Sequence, residues 1–149
     1  MPALICTAIL ILISVVSHYE GLRLLSAVIE PDRPRPRSQP RRLMLVVIFS
    51  VILIHLIEIL YFAVGYWFSH AILHIGTFSG IRGALIVQPL DYFYFSAETY
   101  TSLGIGDAYP VGNIRLIASI ESLVGLLLIG WSTSFTYIAM TKYWNEHAR

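Results

Sequence analysis

Apolar residues in this chain fall in long blocks rather than at amphipathic spacing. Leu43 to Phe68 is an almost continuous apolar run, and Ile114 to Met140 is a second. Either one, coiled as a helix, is long enough to cross a hydrocarbon core of about 30 Å with some tilt. Ala3 to Ser17 is a third run, shorter than a full span. It continues through His18-Tyr19-Glu20-Gly21-Leu22-Arg23 into Leu24 to Ile29, which predicts one transmembrane helix over residues 1–30 with a polar patch in it. A cleaved signal peptide is the rival for this first segment. Met1-Pro2-Ala3 lacks the positive charge that precedes such a peptide's apolar core, so the helix is expected to be retained.

Composition supports a membrane protein: of 149 residues, 56% are hydrophobic and only 13% charged. Net charge is +1, but its distribution decides the topology. The proline-broken linker over residues 31–42 holds five arginines: Arg33, Arg35, Arg37, Arg41 and Arg42. The positive-inside rule puts it in the cytoplasm, touching anionic lipid headgroups rather than nucleic acid. Residues 69–89 contain Arg82 as their sole Lys or Arg and should face outside, and Lys142 and Arg149 return the C-terminus to the cytoplasm, with Tyr143 and Trp144 at the interface. The N-terminus then lies outside a cell (plasma) membrane. A linker and a C-terminus that share basic character require the segment between the last two spans to dip in and come back out. Such non-helical backbone at membrane depth survives only where protein buries it or where it lines an aqueous path. The lone cysteine, Cys6, excludes an intrachain disulfide.

That middle segment carries the candidate chemistry. Pro89 suits a first helical turn, since its missing N–H would go unbonded there. A helix over 89–102 is roughly 20 Å long, too short to span, and its C-terminal carbonyl end would favour a cation in a water-filled cavity. Tyr92, Phe93, Tyr94 and Phe95 form an aromatic cluster on it, some of whose rings should form a collar behind the loop that follows. In that loop, Ser102-Leu103-Gly104-Ile105-Gly106-Asp107, glycine occupies alternate positions. Successive carbonyls point to one axis only if the backbone alternates between right- and left-handed conformations, and glycine alone visits the latter cheaply. Four such loops around an axis would stack rings of carbonyls that replace the hydration shell of a potassium ion.

The stretch from Tyr94 to Val111 resembles the pore of the potassium channel family, and most closely that of KcsA-type bacterial channels. Those channels read Val-Glu-Thr-Ala-Thr, then Thr-Val-Gly-Tyr-Gly-Asp, then Leu-Tyr-Pro-Val. This chain reads Ala97-Glu98-Thr99-Tyr100-Thr101, Ser102-Leu103-Gly104-Ile105-Gly106-Asp107 and Ala108-Tyr109-Pro110-Val111. With one residue deleted after Val111, Arg115 falls on a family arginine and Gly125 on the glycine at which the inner helix bends. The resemblance covers the last third of the chain and does not reach the first helix. It implies a homotetramer in which Ser102, Leu103, Gly104 and Ile105 supply carbonyl oxygens to K⁺, with the Ser102 hydroxyl closing the innermost site. It implies that Gly106 completes the filter and that Thr101, Tyr94 and Phe95 support it. Glu98 and Asp107 match the family's carboxylate pair behind the filter, and two acids so close should share a proton. Ile105 stands where most members have tyrosine or phenylalanine, and Phe95 where these channels carry tryptophan, so apolar packing replaces a polar clamp.

His55 and Glu58, three residues apart on the second span, share a helix face, and Glu121 lies in the outer half of the third. Ionisable groups at membrane depth are costly and usually paired. The expectation is that Glu121 meets His55 or Glu58, as a brace or, secondarily, a proton sensor; a metal site ranks third for want of a fourth ligand. Further along, Leu126, Ile129, Gly130 and Thr133 share a face at helical spacing and should line the cavity. No segment repeats arginine at every third position, which excludes an ordinary voltage sensor, and the residues after Trp144 are too few for a ligand-binding domain.

The sequence therefore predicts an all-α membrane protein with a pore-loop channel fold: three transmembrane helices plus a re-entrant pore helix and selectivity filter. The pore domain is expected over 43–144, with an outer helix 43–68, an extracellular loop 69–88, a pore helix 89–102, a filter 102–107 and an inner helix 113–144. The expected function is passive potassium conduction by a homotetramer without a cofactor. The alternatives are a weakly selective cation channel and a proton- or metal-coupled transporter using His55, Glu58 and Glu121. An enzyme is not expected, because no serine sits in a nucleophile context and Cys6 has no partner base.

Overall fold

A computed structural model of the chain describes residues 1–29, 40–80 and 88–147. The expectations for Arg33, Arg35, Arg37 and Arg82 lie outside the described residues, as do those for the Tyr143 and Trp144 side chains. Four helices form the body: α1 (Pro2–Ile29), α2 (Pro40–Trp67), α3 (Pro89–Tyr100) and α4 (Ile114–His147). Three of them begin at a proline, a residue whose fixed φ and missing N–H cost nothing at that position. Helices α1, α2 and α4 are each long and apolar enough to cross a membrane. Their exposed apolar faces, Leu12 and Leu24 on α1 and Phe49, Leu53 and Leu60 on α2 among them, are those of helices solvated by lipid.

The expectation of an all-α chain is corrected at one point. A two-stranded antiparallel sheet pairs β1 (Gly76–Gly80) with β2 (Ala108–Gly112), with Gly76 opposite Gly112 and Gly80 opposite Ala108. β1 occupies the segment expected to be loop, after a π-helical turn, Phe68–Ile72, that extends the outer helix. The pairing places the strand before α3 beside the strand after the glycine loop, with Gly80, where the first ends, opposite Ala108, where the second begins.

Helix α3 is 12 residues long, about 18 Å, and ends two residues earlier than expected. The Gln88 N–H donates to Asp91 Oδ2 at 3.0 Å, within a capping box, and the acid in the first turn complements the helix dipole. Thr101 caps the other end, its N–H and hydroxyl both donating to the Ala97 carbonyl at 3.2 and 2.7 Å.

The principal core is aromatic. Phe95 lies edge-on to both Phe78 and Tyr66, with centroids 4.9 and 5.1 Å apart, and Phe78 also meets Tyr92 and His70 edge-on. Such edge-to-face contacts contribute beyond the area they bury. They fasten α3 to the end of α2 and to β1. Helix α1 packs on both α2 and α4 of the same chain.

Candidate functional site

Thr101 to Asp107 lie exposed in the single chain, Leu103 and Ile105 at 67% and 56%. The backbone is left-handed at alternate residues: φ is 56° at Ser102, 57° at Gly104 and 81° at Gly106. The sequence pattern marked the two glycines; Ser102 adopts the same conformation without being one. The start of the loop is folded against the end of α3, with the Leu103 and Gly104 N–H groups both donating to the Glu98 carbonyl at 2.8 and 3.3 Å, and Ser102 to that of Thr99 at 3.0 Å.

Glu98 is the hub of this arrangement. Its side chain is buried and accepts the Ile105 N–H at 3.1 Å, so one residue holds the loop through both its main chain and its carboxylate. Burial, and then the nearby Asp107, push its pKa above the ordinary carboxylate range, while the N–H groups of Ile105 and Gly106 pull the other way. Asp107 is exposed and hydrogen-bonded with the Tyr94 side chain. Tyr94 is thus the ring of this cluster that meets Asp107, whereas Tyr92 and Phe95 are buried in the aromatic core.

Gly125 lies within the continuous helix α4. A methyl there would stand 2.1 Å from the Tyr100 carbonyl oxygen, so the glycine permits α4 to press on the end of α3. One turn earlier, Ser122 Oγ donates to the Thr99 carbonyl at 2.8 Å. Leu126, Gly130 and Thr133 are exposed in the single chain and Ile129 is half-buried. The Thr133 hydroxyl donates to the Ile129 carbonyl at 2.8 Å.

The acids inside the body are arranged otherwise than expected. Glu121 meets neither His55 nor Glu58: it accepts hydrogen bonds from Tyr66 and, at 2.5 Å, from Ser96, whose hydroxyl also reaches the Ile59 carbonyl at 2.8 Å. Spacing along separate helices does not fix their relative rotation, so it could not say which acid reaches which partner. Glu58 instead lies between two histidines. His18 Nδ1 is 2.8 Å from Oε1, His55 Nδ1 is 3.1 Å from Oε2, and the Tyr100 hydroxyl donates to Oε2 at 2.5 Å. His18, Glu58 and Tyr100 are fully buried, and His18 Nε2 lies 3.3 Å from Ser132 Oγ on α4. His18, Tyr100, Ser96, Tyr66 and Ser132 were missed as members of these networks. The polar patch in the first span was the available signal for His18.

The site thus consists of a glycine loop with alternating backbone hand, held by Glu98 at the end of a short helix, itself braced by two buried carboxylates. No curated protein and no solved structure matches the chain. A family model described as an ion channel matches residues 41–142, from the start of α2 through the sheet, α3 and the glycine loop to near the end of α4. With well over half of its length in that match, the chain belongs to the ion channel family, whose members are passive membrane channels and not enzymes.

Proposed function

We propose that the chain is a passive potassium channel, conducting through a homotetrameric filter lined by the carbonyls of Ser102, Leu103, Gly104 and Ile105, with Gly106 completing the turn. The observation that carries this reading is the alternation of left-handed backbone at 102, 104 and 106, which turns successive carbonyls to one side. Two further features support it. The paired strands bring the chain back to where it left, as a re-entrant segment requires. Leu103 and Ile105 hold apolar side chains in the open, and neighbouring copies around a fourfold axis would cover them. In this arrangement α2 is the outer helix, α3 the pore helix and α4 the inner helix, with Leu126, Ile129, Gly130 and Thr133 on the cavity. The basic linker faces cytoplasmic anionic lipid, the N-terminus is outside and the C-terminus cytoplasmic.

Purified protein in planar bilayers, with potassium on one side and sodium on the other, tests the proposal. A reversal potential near the potassium equilibrium value is expected, together with a mass of four chains. Equal permeability would replace this reading with a weakly selective cation channel. Ile105 motivates that alternative, since it has no hydroxyl with which to tie the filter wall to the pore helix.

A further inference from the structure

We propose that His18, His55 and Glu58 form a binding site for a transition-metal ion of the zinc class, which staples α1 to the channel body. His18 is 40 residues from Glu58 in sequence and His55 three, yet the ligand atoms of all three lie within 4.8 Å of one another. Two imidazole nitrogens with one carboxylate oxygen form a donor set suited to zinc and its neighbours. A tetrahedral ion needs a fourth donor, which the sequence did not offer. The Tyr100 hydroxyl supplies it, 2.9 Å from His55 Nδ1 and 2.5 Å from Glu58 Oε2.

The surroundings suit a ligand cluster as well. A metal-bound histidine ordinarily donates its far ring N–H to a fixed acceptor, which sets the tautomer and aims the other nitrogen at the ion. His18 Nε2 faces Ser132 Oγ at 3.3 Å, leaving Nδ1 directed at the cluster. Glu58 has no exposed surface at membrane depth, where a carboxylate is expensive unless a cation accompanies it. A bound divalent ion is that cation. It would join α1 through His18, α2 through His55 and Glu58, and α3 through Tyr100.

The experiment reads metal rather than current, so its outcome is independent of which ion the pore passes. Full-length protein in detergent is stripped with a chelator, exposed to Zn²⁺ alone, desalted and assayed for bound metal and thermal stability; Co²⁺ is then used as a spectroscopic probe. About one zinc per chain is expected, with a rise in melting temperature and visible d–d bands of four-coordinate cobalt. His18→Gln and His55→Gln should each weaken zinc binding at least about 100-fold, because losing even an outer partner of a ligand costs 10–100-fold. Folded wild-type protein that retains no zinc and gives no such cobalt bands overturns the proposal, with no variant needed. Zinc retained equally by both variants overturns it too, since the ion would then be held elsewhere.

Discussion

Gly125→Ala tests how α3 is held in place. A methyl at this position would stand 2.1 Å from the Tyr100 carbonyl oxygen and 2.9 Å from its carbon, against the 3.4 Å at which ordinary contact begins. The shortfall is about 1.3 Å, and the obstructing atoms are backbone, which cannot rotate away as a flexible side chain does. Either α4 retreats or the end of α3 moves, and the loop at 102–106 moves with it. Overpacking of this kind costs about 1–3 kcal/mol, with a rigid neighbour at the upper end, while alanine's better helix propensity returns about 1 kcal/mol. Gly130→Ala is the matched control on the same helix, where a methyl would meet nothing within 4 Å in the single chain. It should be neutral or slightly stabilising. The assay is thermal unfolding in detergent beside ion flux into liposomes. Gly125→Ala should melt several degrees below Gly130→Ala, at about 2–4 °C per kcal/mol for a chain of this size, and should lose most of its flux. A hinge role would leave melting unchanged and alter only open probability. Equal melting temperatures for the two variants would refute the packing argument.

Substitutions at three further positions probe the same assembly. Gly104→Ala places a side chain at φ 57°, costing about 1–2 kcal/mol, and should abolish conduction in bilayers while the chain still assembles; unaltered current would remove the loop from the ion path. Glu98→Gln keeps an oxygen for the Ile105 N–H, 3.1 Å away, and should conduct, whereas Glu98→Ala leaves that N–H unpaired and should not; equal currents would mean the carboxylate does not hold the loop. Tyr100→Phe removes the hydroxyl bonded to Glu58 and His55 and should lower stability to chemical denaturation by about 1.5–3 kcal/mol, the range for a hydrogen bond to a charged group. A change under 0.5 kcal/mol would show that water or another donor takes its place.

The three spans were legible because length and continuous apolarity suffice to identify them, with no partner needed. The glycine loop was legible because its constraint is local: left-handed backbone selects glycine at Gly104 and Gly106. What escaped was pairing at a distance. Gly76–Gly80 is five residues with no apolar alternation, and its partner strand begins at Ala108, so no local signal announces the sheet. His18 looked like one polar group in a patch, since its carboxylate lies on another helix. Tyr100 was hidden among other aromatics, although its hydroxyl is the link between α3 and Glu58. Glu121 was identified as buried, but its partners depend on helix rotation, which hydropathy leaves open where all faces are apolar.

Taken together, the buried polar residues explain how so short a helix is fixed. Ser96 and Tyr100 are four apart on α3 and share a face; the first is held by Glu121 and the Ile59 carbonyl, the second by Glu58 and His55. Glu98 lies between them in sequence, on a different face, and holds the loop. Apolar packing alone tolerates small slides and rotations, because dispersion is non-directional and each contact is weak. Hydrogen bonds to buried carboxylates do not tolerate them: breaking one leaves an unsatisfied group away from water, at about 1–3 kcal/mol or more. The acids therefore set the rotation and height of α3 more sharply than the aromatic core could, and through Glu98 they set the loop. On the proposed function, a ring of carbonyls that replaces an ion's water must hold its radius closely, which would give this chain a reason to carry Glu58, Glu98 and Glu121 despite the cost of burying them.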